Sequence, residues 1–513
     1  MLRLVAMNEP VASHIRWMQR FRLSWKVDLV VLVGILVLVV GLVALQVRDH
    51  PQLSPIDELQ HFDYTLKSPS AGVRVGEMFG TEAMKVVACR GIDHHGWEAG
   101  SPYLPECGDI RPDPDLSPGH GFNTAYQHPP PYYTLTALIG EVVLLLPGDE
   151  SSLVAYRLVG AVWLASGLAL IWYALGLVGA STAGRASVVG LLGVSPVVVH
   201  ASAFVNPDAV ALLGGGLLLL ALLKWESGSW PWWSVAVASA AAVWLKLTNA
   251  FAVGVVVLYL SFRIWQEWDK RHLPQAKAAR RERLLAASVS ALLALASVLF
   301  WRFWQENRGL SEEEDLPVFA DLRFDSFQWA LLDDQLRAAV TPFRDQWVPG
   351  VLPRDLLVPL AGIADVGLLA LLGAALAFTA ARSAYRALVG GVFGAMVGIG
   401  ILTMISFHLA LGLHAVTPGR YGLAVLPFAA VGIAPVLRRN VLVRMLIGAL
   451  ACTTAAVMLY GVLFFSPKPG APESEPVDGL LPRDELISEQ EDLLNAYRCQ
   501  LGVDIHLVPG GCP

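Results

Sequence analysis

Asp57 and Glu58 stand side by side in SPIDELQHFDY, with His61 and Asp63 close behind, shortly after the first long apolar run. Paired carboxylates beside an imidazole are groups that general acid–base chemistry uses. The polar stretch they open also holds Asp93-His94-His95 and ends in His128 followed by Pro129-Pro130-Pro131. Prolines disfavour helix, so His128 is expected in an extended segment. Three further sites carry charge at the edges of apolar runs: Asp208 in Asn206-Pro207-Asp208, Lys246, and Arg420, which Tyr421 follows in GRYGLAVLPF. A carboxylate can take a proton from a hydroxyl, and a lysine or arginine can hold a phosphate. Glu58, His61 and His128 are the candidates for holding a divalent cation, Mg or Mn if the ligation is rich in oxygen. Each residue also has a plainer reading. Asp57 and Asp208 could cap helices, and Lys246 could lay its stem along apolar surface and keep its head in water.

The chain that must position these groups is apolar. It has 513 residues, 55% hydrophobic and 16% charged, with mean hydropathy +0.53. Soluble domains carry charge on about 25% of residues, so the class is an all-α polytopic membrane helix bundle. About eleven spans are expected, near 28–47, 153–178, 186–204, 209–223, 232–246, 248–263, 284–301, 357–380, 387–407, 421–437 and 443–465. The segment 132–146 is short for a crossing, which needs roughly 20 residues, and is read as a helix lying in the outer interface.

Charge sets the orientation. Arg3, Arg16, Arg20, Arg22 and Lys26 precede the first span, which places residues 1–27 in the cytoplasm and makes the span an anchor rather than a cleaved signal. Keeping 132–146 out of the membrane puts the basic loop from Arg263 to Arg283 inside as well. The transmembrane domain is then 28–465, with a first extracytoplasmic loop over 48–152, a second over 302–356 and an outer tail over 466–513. Every candidate group above falls on the outer side. The basic residues form short clusters beside spans, not a stripe, so nucleic-acid binding is not expected.

Four of the five cysteines, Cys89, Cys107, Cys499 and Cys512, fall outside. An oxidising compartment would pair them, and Cys89–Cys107 with Cys499–Cys512 is the local choice among three pairings.

The ordered set formed by the acidic pair after the first span, the HPP segment, the outward NPD, the lysine ending a later span and the late GRYGLAVLPF resembles membrane glycosyltransferases of the GT-C superfamily. It is similar in particular to a bacterial group of GT-C-like membrane proteins of poorly defined activity. The resemblance covers most of 28–440. It implies a polyprenyl-phosphate sugar donor and a cell-envelope glycan, glycolipid or protein acceptor, in the plasma membrane and among its lipids. It also implies Asp57 as general base, with Glu58 second. His61, His128, Asp208, Lys246, Arg420 and Tyr421 would then bind substrate. Physical chemistry agrees with that division of labour. Phosphate leaves without needing a proton but needs charge stabilisation, whereas the acceptor hydroxyl needs a base, so one carboxylate suffices for inversion. A transporter or flippase for lipid-linked saccharides is the rival reading, as is a non-catalytic envelope-assembly protein. A transporter should place paired ionisable groups at mid-span rather than at outer span ends.

Overall fold

The computed structural model describes residues 11–68, 72–93, 107, 121–145, 151–270, 272–311, 327, 329, 331–344, 354–412 and 418–464. Among them no strand forms; two isolated bridges, Leu53 with Ile92 and Met78 with Phe122, are the only β pairing. Nine helical units among the described residues are long and apolar enough to cross a membrane, or ten if one bent pair counts as a single span. The chain is thus a polytopic helical bundle.

The first helix, α1 (Val11–Asp49), contains an apolar segment over Lys26–Asp49. Val39, Leu42, Val43 and Val47 recur at helical spacing and are buried, while Val30 and Val37 on other faces are exposed. The helix therefore carries apolar side chains on its exposed face as well as its buried one, unlike a surface helix of a soluble protein.

Three short helices follow: α2 (Glu58–Lys67), α3 (Thr81–Arg90) and α4 (Pro131–Leu144). Leu59, Phe62, Ala83, Met84 and Val87 pack together with Leu153 and Tyr156, which join the first loop to the bundle. Complete burial of Phe62 contributes about 1.5–3 kcal/mol. The 14-residue α4 starts at Pro131, the last residue of the proline triplet, and is shorter than the roughly 20 residues a crossing needs. The disulfide Cys89–Cys107 is formed at the end of α3. Cys499 and Cys512 lie outside the described residues.

The bundle continues with α5 (Ser152–Leu177). The expected single span 186–204 is instead two helices, α6 (Thr182–Gly193) and α7 (Pro196–Ala203), bent by 57°. Pro196 is the reason, since its ring bars Ser195 from continuing the helix. The turn Pro207–Val210 leads into α8 (Ala211–Glu226). Next, α9 (Trp233–Leu245) has only 13 residues, short for the span expected there, and stops at Lys246. Then come α10 (Ala250–Gln266) and α11 (Pro274–Arg308), whose 35 residues run for about 50 Å, well beyond a bilayer core. The C-terminal end of α11 holds the segment between α1 and α5: Gln305 donates to the carbonyls of Val73 and Tyr126, and Trp301 to that of Tyr126.

The segment after α11 contains α12 (Leu331–Val340), and α13 (Arg354–Phe378) and α14 (Ala384–Leu411) return to the bundle. The expected span 421–437 begins as a 3-10 turn, Gly419–Val425, and proceeds through α15 (Leu426–Gly432) and α16 (Ala434–Arg439); Pro427 and Pro435 each open a new helix there. Finally, α17 is Val441–Phe464.

Two glycines set how closely the pieces approach. A Cβ on Gly160 of α5 would lie 1.9 Å from the Ser202 carbonyl oxygen, and one on Gly215 of α8 would lie 2.1 Å from that of Ala424. Backbone thus packs directly on backbone beside the turns that carry Asp208 and Arg420.

Candidate active site

Five separate segments meet in one pocket with an empty volume of about 480 Å³: Asp57–His61, Thr124–His128, Asn206–Asp208, Lys246 and Arg420–Tyr421. Seven of the eight substrate or catalytic positions expected from sequence line it. Glu58 is the eighth and points elsewhere.

Asp57 precedes α2, yet its side chain makes no capping hydrogen bond, so the plain helix-cap reading does not describe it. Its backbone sits at φ 56°, ψ 9°, the left-handed region, and it is the one non-glycine residue with positive φ among the described residues. Aspartate tolerates this region better than most residues but still holds it at a cost, and such strain concentrates at functional sites. The side chain is 55% exposed, and what it faces is the pocket. Protein atoms around the pocket thin its hydration without closing it off from water, which raises its carboxyl above the ordinary range against the pull of Arg420 and Lys246.

Across the pocket, Asn206 accepts the Asp208 amide with its side-chain oxygen at 2.8 Å and fixes the turn. Asp208 is buried and accepts from two cations. Lys246 pairs with its Oδ1, and Arg420 Nε donates to its Oδ2 at 3.0 Å. Arg420 Nη2 lies 3.8 Å from Asp57 Oδ2. Lys246 and Arg420 also lie 4.7 and 5.6 Å from the Tyr421 ring centroid, within cation–π range. Lys246 owes its inward direction to the break between α9 and the turn Leu247–Asn249, where its backbone is extended. It is 1% exposed, so its head does not reach out to water as the plainer reading would have it. Two cations gathered on one carboxylate keep N–H donors together in the pocket that an anionic ligand can use, while Asp57 brings the formal charge of the cluster to zero.

His61 and His128 form the third wall, with ring centroids 5.4 Å apart. His61 Nδ1 shares a 2.9 Å hydrogen bond with the Tyr133 hydroxyl, and Tyr133 stacks on Tyr64 at 3.9 Å. Tyr64 donates to the His128 carbonyl at 3.0 Å, which ties α2 to the extended segment before the prolines. Burial holds His61 well below the usual histidine range, helped by nearby His128, Lys246 and Arg420. Burial and Lys246 bring His128 to about 3. Both imidazoles are therefore neutral at physiological pH and offer hydrogen bonds rather than charge. His128 Nδ1 is buried with no hydrogen-bond partner, an open polar position in the site.

Glu58 is fully buried and bonded to Arg157, at 2.7 Å from both Nε and Nη2. It faces away from the pocket, and its place in a cation set with His61 and His128 goes with it. Magnesium or manganese needs several oxygen ligands. Among the described residues no three His, Cys, Asp or Glu side chains come together in a metal-binding arrangement, and Asp208 is occupied by two cations.

Of the other acids, Asp63 is a structural hub that accepts from Gly80 and Asn123 at 2.8 Å and pairs with Lys67. Asp365 accepts the Phe343 amide away from the pocket. His94 and His95 lie outside the described residues. Sequence reasoning passed over Gln60, Thr124 and Gln127, which carry no charge to mark them, and took Asn206 only as part of the NPD motif. It also passed over Arg157, whose position inside an apolar span was a usable signal.

No protein-family model matches the chain, and no curated protein matches it in sequence.

Proposed function

We propose that this chain transfers a glycosyl residue from a polyprenyl-phosphate-linked sugar to a hydroxyl of a cell-envelope glycan, glycolipid or protein at the outer face of the plasma membrane. One observation carries the reading: a carboxylate with no capping role, held in strained backbone, faces the same pocket as two cations that share a single acid.

In this reading the donor phosphate lies against Lys246 and Arg420. The acceptor hydroxyl lies at Asp57, which takes its proton. The acceptor oxygen bonds to the anomeric carbon as the bond from that carbon to the phosphate oxygen breaks. The electron pair leaves with the polyprenyl phosphate, whose added charge the two cations stabilise. Attack from the face opposite the phosphate inverts the anomeric centre. No acid is required for the leaving group, consistent with neutral His61 and His128, which are placed to hydrogen-bond sugar hydroxyls. Tyr421 supplies an aromatic face beside the cations.

The test is envelope glycan analysis of a deletion strain complemented by wild type or by Asp57→Ala. Wild type should restore a missing glycan and Asp57→Ala should not. Restoration by Asp57→Ala would defeat the proposal.

A further inference from the structure

One peptide bond separates Glu58 from Asp57, yet its carboxylate points into the protein and takes four hydrogen bonds. Arg157 gives two, from Nε and Nη2 at 2.7 Å each; the Ser54 amide gives one at 2.7 Å, and the Val205 amide one at 2.9 Å. Arg157, itself fully buried on α5, also donates to the carbonyls of His50 and Gln52, and its guanidinium lies 4.8 Å from the Phe204 ring centroid. The pair therefore binds three lengths of chain: the exit from α1, the start of α2, and the Phe204–Val205 link that enters the Asn206–Asp208 turn. Asp57 hangs from the first two and Asp208 from the third.

A buried ion pair is a poor device for stability alone, because desolvation of two charges offsets their attraction and an apolar pair of similar size often serves as well. Directional bonds do what apolar packing cannot. They fix backbone on either side of a residue kept at φ 56°.

We propose that Glu58 and Arg157 are positioning residues, whose shared hydrogen bonds to the Ser54 and Val205 amides hold the Asp57 turn against the Asp208 turn and so set the distance between proton acceptor and phosphate-binding cations. The proposal rests on the glycosyl-transfer reading of this pocket. It makes Glu58 a fixture of the site and not a second base.

The test uses full-length protein in three forms: the paired change Glu58→Met with Arg157→Met, Arg157→Lys alone, and Asp57→Asn as reference. The paired change leaves no unpaired buried charge, and Arg157→Lys keeps the charge but loses the fork that reaches His50 and Gln52. Thermal midpoint, binding of a short-chain polyprenyl phosphate, and turnover in membranes as a function of pH are read on each. Loss of position should cut turnover by about 10²-fold in the paired variant, and less in Arg157→Lys, while lipid-phosphate binding stays within about twofold, since Lys246 and Arg420 sit on other elements. The acid limb of the pH profile should also move toward that of an ordinary carboxylate as Asp57 leaves its site. Wild-type turnover and profile in a folded variant would overturn the proposal. So would parallel loss of turnover and lipid-phosphate binding, which marks a collapsed pocket. If the paired variant does not fold, Arg157→Lys decides by the same readings. Wild-type turnover in Asp57→Asn would instead sink the underlying reaction.

Discussion

Arg420 hydrogen-bonds Asp208 through Nε at 3.0 Å, and the same guanidinium reaches toward Asp57 at 3.8 Å. One side chain from the last part of the bundle thus links the acid that organises the cations to the acid that faces the pocket. The two carboxylates have different work. Asp208 is saturated by Lys246 and Arg420, whereas Asp57 remains available.

That division separates two phenotypes. Asp57→Asn keeps size and polarity but cannot accept a proton, so turnover should fall by about 10²-fold or more while donor binding survives. Lys246→Ala should weaken donor binding, because the lipid phosphate loses a charge partner. Binding of a polyprenyl-phosphate sugar measured beside turnover tells them apart, and equal loss of binding in both variants would refute the assignment.

The pH dependence has a defined sign. In the proposed transfer Asp57 must be deprotonated to act, and its partial loss of hydration in the pocket raises its carboxyl above the ordinary range. Turnover should therefore rise with pH along a limb displaced above the usual value of about 4 for aspartate. No second limb should come from His128, held neutral down to about 3. A profile with its acid limb at an ordinary aspartate value would contradict the pocket's electrostatics.

Stability should oppose activity at the same position. A carboxyl whose folded-state pKa is raised favours folding below that value, and its contribution is lost as pH rises through it. Removing the charge relieves that cost at neutral pH, and asparagine accepts the left-handed backbone. Asp57→Asn should thus melt at or above the wild-type temperature near pH 7, and below it would count against the strained, desolvated carboxylate described here.

Close backbone packing offers a test away from the pocket. Gly215→Ala would press α8 against the carbonyl of Ala424, close after Arg420. Overpacking of this kind costs about 1–3 kcal/mol. Turnover should drop beyond what the folded fraction explains, because the 3-10 turn that carries Arg420 must shift. A control at Gly254, where a Cβ meets nothing within 4 Å, should be silent on both counts.

Sidedness and redox state can be read together. Cysteines introduced at Ser181 and Ala276 should resist impermeant thiol reagents in intact cells, whereas the first loop should be oxidised at Cys89–Cys107. A second bond, Cys499–Cys512, would bring the mass to four protons below the fully reduced chain. Labelling at position 276 would reverse the orientation.

Residue types made the seven pocket-lining positions legible in the sequence, because charge beside apolar runs is rare enough to notice. The partners were not legible. Nothing in the order of residues says that Glu58 turns to Arg157 while Asp57 turns to Arg420, since a left-handed residue between extended chain and helix decides which acid faces which way. Spans of regular composition were found readily. The one broken at Pro196 read as continuous because apolar composition does not record direction. The neutral lining of Gln60, Thr124 and Gln127 comes from how α2 and the 3-10 turn Thr124–Gln127 are brought together, which a periodicity argument does not reach.

The dispersal of the pocket along the chain has a consequence for biosynthesis. Asp57 enters the membrane surface early, whereas Arg420 is made only after most of the bundle has been inserted. Until then the cluster lacks a cation, Asp208 has one partner instead of two, and nothing holds the late 3-10 turn against α8. A chain that ends before that turn carries Asp208 with one cation in place of two, so the charge arrangement of the pocket is complete only when this late segment is present.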